Sequence, residues 1–349
     1  MHFKRLLLLC LLALSACTLS LPSKGLLPKA TGNRPEDCAR ADVLCAGLVT
    51  DFGPVDSGIN REAWLGLQDA RDAGLVDRVD YIETVDVRDR SLNIAALAAD
   101  GYDVIVTIGA SMSDDTRTAA TKYPQLFFIG IEQPQSTKLP NLAGLVFHEE
   151  RSGFLSGALA GLITKTGYVA GVCEAKFIDS MRRYCDGFKA GALYVEPHIH
   201  VTVSYREGPS DKLFNDPDWG RTTALQQVNQ GADVLLAAGG STADAALQAA
   251  ALEGAYVIGA EFDLYADSAT IRHSLLSSAV SDVRSGVTKL LRLVRGEQFP
   301  SGNYVGLVKL APFHDLDSQV STAVEDRLAK IQSALQAGSI PLDIPYTAK

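Results

Sequence analysis

VLCAGLVT at residues 43–50 is a short apolar run ending on a polar turn, followed by NREAWLGLQDARDA at 60–73 and VDYIET at 79–84. The first run suits a strand buried on both faces of a parallel sheet. The second puts Ala63, Trp64, Leu67 and Ala70 on one helical face, with Asn60 as candidate N-cap and Gly74 as candidate residue just past the end. The third reads as strand again. Strand, helix, strand is the βαβ unit, and it recurs along the chain. SLNIAALAAD (91–100) and TRTAATKY (116–123) read as helices, while DVIVTIG (103–109), LFFIGI (126–131) and LAGLVF (142–147) read as strands.

A second series follows. Helices are expected over 152–163, 180–195, 220–230 and 242–254, and strands over 168–173, 200–205, 233–239 and 256–261. LLSSAV (275–280), a helix over 282–296, a strand near 303–309 and a closing helix over 319–337 complete the chain. The pattern predicts an α/β protein of two doubly wound, parallel-sheet lobes joined by crossover strands. Lobe 1 is expected to take 43–147 plus about 265–305, and lobe 2 148–264 plus about 306–340, with crossings near 147–150, 262–267 and 305–310. Ligands sit beyond the C-terminal strand ends of such sheets, which places a ligand in the cleft between the lobes.

Outside that body, Lys4 and Arg5 precede a nine-residue apolar run, Leu6 to Leu14. A membrane-spanning helix needs about 20 residues, so the run suits a secretory leader. Its exit, Leu14-Ser15-Ala16-Cys17, resembles a bacterial lipobox, which makes 1–16 a lipoprotein signal peptide and Cys17 the lipidated residue. Acyl chains would hold the chain on the bacterial cell membrane without a spanning helix. Residues 17–42 mix Ser, Pro, Gly and Lys without period and read as a tether. The chain is thus expected to be exported. Cys38, Cys45, Cys173 and Cys185 remain, an even number for an oxidising compartment. Four cysteines allow three pairings, of which Cys38–Cys45 and Cys173–Cys185 are the simplest. A zinc site is the rival, with no CxxC or HxxxH spacing behind it.

At 349 residues the chain has room for two domains. With 47% hydrophobic and 21% charged residues it is not a disordered chain. A net charge of -9 argues against nucleic acid as a partner. Among enzyme signatures, GxxxxGK[ST], GxSxG, HExxH and GxGxxG are all missing, so neither an enzyme nor a cofactor is expected, and His198 and His200 read as strand-entry residues rather than metal ligands. The strand ends do carry polar and aromatic groups: Thr50-Asp51, Gly109-Ala110-Ser111, Phe214-Asn215-Asp216, Gly239-Gly240-Ser241 and Glu261-Phe262-Asp263. Carboxylates accept hydrogen bonds from hydroxyls and aromatics stack on flat rings, so together these suit a polar, ring-containing ligand. Singly, each fits a helix cap or a turn equally well.

Gly47-Leu48-Val49-Thr50-Asp51-Phe52-Gly53, then Asp56-Ser57-Gly58-Ile59-Asn60-Arg61-Glu62-Ala63-Trp64-Leu65-Gly66, resembles the opening signature of the basic membrane protein family, usually G-x-V-T-D-x-G and S-F-N-Q-x-A-W-E-G. Gly187-Phe188-Lys189-Ala190-Gly191, Phe214-Asn215-Asp216-Pro217-Asp218-Trp219-Gly220, Ala238-Gly239-Gly240 and Ala311-Pro312-Phe313-His314-Asp315 continue the resemblance in order. Members similar to purine nucleoside receptor A are lipid-anchored substrate-binding proteins of ABC importers. The resemblance implies a type I periplasmic-binding-protein fold, capture of a nucleoside (a purine one first), and permease and ATPase subunits as partners. By it, Asp51 contacts the base, Phe214 stacks on it, Gly240 forms the turn at the cleft, and Glu261 stands where the family's Asp holds ribose hydroxyls. Asn60 matches the family Asn. Gly109, Ser111, Asp263 and Ser278 complete the candidate ligand set, with Ile59 in the position of a family Phe. Ser281 replaces a family Lys and Gly58 a family Ser. A sensor of the same fold is the alternative function, and a nucleoside-processing enzyme a further one.

Overall fold

A computed structural model describes residues 38–345; the leader, Cys17 and the tether up to residue 37 lie outside them. In chain order the elements are β1 (Cys45–Val49), α1 (Gly58–Asp72), β2 (Arg78–Ile82), α2 (Arg90–Ala99), β3 (Val104–Ile108), α3 (Ser113–Lys122), β4 (Phe127–Ile131) and β5 (Leu142–Val146). Next come α4 (Glu149–Ile163), β6 (Tyr168–Cys173), α5 (Asp179–Val195), β7 (His200–Tyr205), α6 (Pro217–Asn229), β8 (Val234–Ala238), α7 (Gly240–Leu252), β9 (Tyr256–Glu261) and β10 (Leu275–Ser281). Last are α8 (Val283–Arg295), β11 (Gly302–Val305), β12 (Val308–Leu310) and α9 (Thr322–Gln336).

Two six-stranded sheets result. One has the order β2-β1-β3-β4-β5-β11 and is parallel throughout. The other has the order β7-β6-β8-β9-β10-β12, parallel except where β12 runs antiparallel to β10. Every residue of β1, β3, β6 and β8 is buried, because helices cover both faces, which is why these strands read as unbroken apolar runs. On α1 the buried positions Ala63, Gly66, Leu67 and Ala70 recur at helical spacing and face the first core. That helix starts at Gly58, not Asn60: Ser57 takes the N-cap position and Asn60 lies inside the first turn. Gly74 does end it, at φ +67° with its N–H donating to the Arg71 carbonyl at 2.9 Å.

The expected allotment of 265–305 to the first sheet does not hold. β10 lies between β9 and β12 in the second. Only after Ser281 does the chain cross, so that α8 packs beside α1, burying Val283, Val287 and Leu290 in the first core. β10 is buried along its whole length like a central strand of either sheet, and nothing local names its neighbours. The links between sheets are therefore the β5–α4 junction, the β10–α8 junction at Asp282, and Gly306-Leu307 between β11 and β12. Stretch 262–267 is a loop of the second sheet. The three links are tied together: Gly306 N–H donates to Val146 O (2.8 Å), Asp282 N–H to Leu307 O (2.9 Å), and Lys309 Nζ to the Asp282 carboxylate (2.9 Å).

Disulfides join Cys38 to Cys45 and Cys173 to Cys185. Cys38 is only 4% exposed, so the end of the expected tether belongs to the folded body. α4 and α5 meet backbone to backbone; a Cβ on Gly157 or Gly191 would strike the Phe188 or Phe154 carbonyl oxygen. No helix among the described residues is long and apolar enough to cross a membrane.

Candidate ligand-binding site

The C-terminal ends of the parallel strands bring the candidate residues to two facing rims. On the first sheet, Thr50 is buried and braces the turn after β1, its hydroxyl donating to Gly53 O (3.0 Å) and accepting from Thr84 N–H (2.9 Å). Asp51 follows. Its carboxylate accepts from the Ser111 hydroxyl at 2.6 Å and pairs with Arg90. Gly109 stands at φ +87°, where a Cβ would lie 3.2 Å from Asp51 Oδ2. Asp51, Gly109 and Ser111 therefore form one cluster, as three sites on β1 and β3 strand ends should. Arg90, which neutralises it, was not visible in the sequence: it lies 39 residues away at the start of α2.

Asn60 does not offer its amide nitrogen to a ligand. Nδ2 donates to the carbonyls of Phe52 (3.1 Å) and Pro54 (3.0 Å) and so shapes the β1–α1 loop. That loop carries Phe52, 63% exposed, an aromatic the motif contained but the candidate set left out. Ile59 is half-buried against the first core.

On the second sheet the central feature is Glu174, fully buried just after β6. Its carboxylate accepts from Ala175 N–H (2.9 Å), Phe214 N–H (2.8 Å) and the Thr242 hydroxyl (3.2 Å), and it faces Arg206 at 3.5 Å. Arg206 is buried too and also donates to Asp216 (3.2 Å) and Pro209 O (2.9 Å). This network holds Phe214 at φ +59° with the residue 38% exposed. Gly240, at φ +53°, lies under it: a Cβ there would come 2.6 Å from the Phe214 carbonyl oxygen. The sequence named Phe214 and Gly240; it missed Glu174 and Arg206, whose only signal was a charge at each of two adjacent strand ends.

Carboxyls from both sheets then converge. Glu132 follows β4 at φ +58° and Glu261 ends β9 at φ +76°, with Glu149 at the start of α4. Burial, with the Glu261 charge adding, raises the Glu132 carboxyl above the ordinary glutamate range. Burial raises Glu261 likewise, with Asp244 and Glu149 adding. Glu149 is 6% exposed, and burial pushes it up to about 8 although Arg183 lies 2.9 Å away. Burial alone would raise Glu150 too, but hydrogen bonds from His148 and Arg183 bring it below the ordinary value. Ser281, where the resemblance leads one to expect Lys, is buried and shares a 2.8 Å hydrogen bond with the Tyr184 hydroxyl. Glu132 and Glu149 were not among the candidates; an acid after a strand looks like any turn residue.

Two candidates are occupied elsewhere. Asp263 accepts from Tyr265 N–H (3.1 Å) and pairs with His314 Nε2 (2.7 Å). Ser278 is buried, its hydroxyl accepting from Leu264 N–H (3.2 Å). Both brace the β9–β10 loop. None of the candidate ligand residues lines the cavity of about 470 Å³ among His148, Arg151, Asn303, Val305, Leu335 and Pro341.

The arrangement can clamp a flat, polar molecule between a ring and carboxyls. A family model described as ABC transporter substrate-binding protein, PnrA-like, matches residues 46–311. The chain is similar to the "CD4+ T-cell-stimulating antigen" of Listeria monocytogenes, 26% identical over 83% of this chain and 84% of that one. It is similar to the "ABC transporter nucleoside-binding protein BmpA" of Lactococcus lactis, 26% identical over 85% of this chain and 88% of that one. Among solved structures, an ABC transporter solute-binding protein from Conexibacter woesei matches in fold, with a TM-score of 0.70 at 20% identity over 86% of this chain and 98% of that one. With the two-lobed periplasmic-binding-protein fold and the family match in place, the chain belongs to the Bmp family of PnrA-like substrate-binding proteins of ABC transporters.

Proposed function

We propose that this protein captures a nucleoside, with purines preferred, between the two rims and delivers it to the permease and ATPase of an ABC importer, while acyl chains on Cys17 hold it at the cell membrane. The observation that carries the reading is the seat of Phe214. A half-exposed ring is fixed in a left-handed backbone by a buried carboxylate and packed against Gly240, at the strand ends where the fold receives ligands. Such a ring is a stacking platform for a base. Glu261, at the end of neighbouring β9, is in this reading the acceptor for the two ribose hydroxyls. The lactococcal relative, named as a nucleoside-binding protein, supports the nucleoside assignment. The test is thermal melting with adenosine, guanosine, inosine and uridine, beside mass spectrometry of co-purified small molecules. A ligand at 100 times its Kd adds about 2.7 kcal/mol to stability, so a purine nucleoside should raise the Tm clearly. No shift with any of the four, and none recovered from the protein, would refute the proposal.

A further inference from the structure

The β9–β10 loop reaches from the second sheet to the first turn of α1. The Phe262 ring carbons Cε1 and Cζ each lie 3.5 Å from where a Cβ on Gly58 would sit. Gly58 is at φ +56°, and its lack of a side chain leaves that ring its place. Three residues on from Gly58 and five on from Phe262, Arg61 of α1 donates to Asp267 of the loop, each side chain only about a fifth exposed. The loop is braced within its own lobe. Leu264 is buried over Gly259, Asp263 pairs with His314, and the Tyr265 ring stacks on His314 at 4.0 Å. Tyr265 OH donates to Asp315 at 2.7 Å, and Arg272 lies over the Tyr265 ring and donates to its carbonyl at 2.7 Å. A loop held this firmly by its own sheet loses little entropy when it meets the other.

We propose that this loop is the clasp of the cleft, Phe262 seating on Gly58 and Asp267 pairing with Arg61, and that the clasp sets how long a captured ligand stays. The retention half rests on the capture reading above; the clasp itself does not. Both contacts land on residues that depart from the resembled S-F-N-Q stretch, Gly58 and Arg61, so the altered turn of α1 and the loop opposite it fit each other.

The test is charge reversal on the full chain: Arg61→Glu, Asp267→Arg, and both together, with Phe262→Ala alongside. Small-angle scattering without ligand reads closure, and stopped-flow release of adenosine reads retention. Each single reversal should enlarge the radius of gyration and speed release about two- to fivefold, as a partly exposed ion pair allows. Phe262→Ala should speed it about tenfold. The double reversal should restore both readouts, which a general loss of packing would not. Single reversals matching the parent in both, or a double reversal no better than either, overturn the clasp. If adenosine does not bind the parent, the nucleoside reading fails, and the scattering arm still decides the clasp.

Discussion

Gly240→Ala separates the seat of Phe214 from its ring. At φ +53° an alanine costs about 1–2 kcal/mol over glycine. Its Cβ would stand 2.6 Å from Phe214 O, too close for any real Cβ. That oxygen cannot simply retreat, since it accepts from Ser241 N–H (2.9 Å) and the Ser241 hydroxyl (3.1 Å), each bond worth about 0.5–1.5 kcal/mol. Phe214 N–H is held in turn by buried Glu174. The substitution therefore lowers stability by about 2–3 kcal/mol and turns the Phe214 ring. Base stacking is worth about 1–3 kcal/mol, so guanosine should bind some ten- to a hundredfold more weakly. Calorimetry and urea melts of Gly240→Ala, Phe214→Ala and the double variant decide it. The double variant should bind guanosine no worse than Phe214→Ala, because both changes remove the same stack, and should still show the stability loss of Gly240→Ala. Gly240→Ala binding like the parent, or binding losses that add in full, would refute the argument.

Glu261→Ala should weaken ribonucleosides by a decade or more, a 2′-deoxynucleoside less and a free base least, as read by calorimetry; equal losses for base and nucleoside rule out the ribose contact. Glu132, Glu149 and Glu261 carry folded-state pKa values above the ordinary glutamate value, Glu149 at about 8, so the folded protein binds more protons than the unfolded chain across that window. Stability should fall as pH rises from 5 to 8, and Glu132→Gln should flatten the fall; a Tm that is level over that range, or unchanged in slope by Glu132→Gln, contradicts the raised carboxyls. Cys17→Ser should leave the exported protein unprocessed or released from membranes in fractionation; membrane-bound protein cut at the same site removes Cys17 as the anchor.

Much of the fold was legible because burial on both faces writes each central strand as an apolar run, and a polar turn ends it. β1, β3 and β8 declare themselves in this way. What the sequence does not hold is adjacency. β10 reads alike in either sheet, and only its ladder with β9 decides. The site divides on the same principle. Asp51, Gly109, Phe214 and Gly240 sit at strand ends whose position follows from topology alone, so naming them needed no partner. Glu174 and Arg206 are defined by each other across 32 residues, and Asp263 is taken by His314 across 51, which no local pattern records.

The misplaced β10 also changes where closure must be sought. With 262–267 taken out of the crossings, motion between the sheets is confined to the β5–α4 and β10–α8 junctions and Gly306-Leu307, which are bonded to one another through Val146, Asp282 and Lys309. Three short links so tied are expected to move as one hinge. The freed stretch 262–267 follows directly on the candidate rim, where Glu261 passes into Phe262. A carboxyl assigned to the ligand and a ring seated on the other sheet are consecutive residues on one braced loop. In the proposed reading, a ribose held by Glu261 would bear directly on the Phe262–Gly58 contact, so that ligand contact and closure would share one loop.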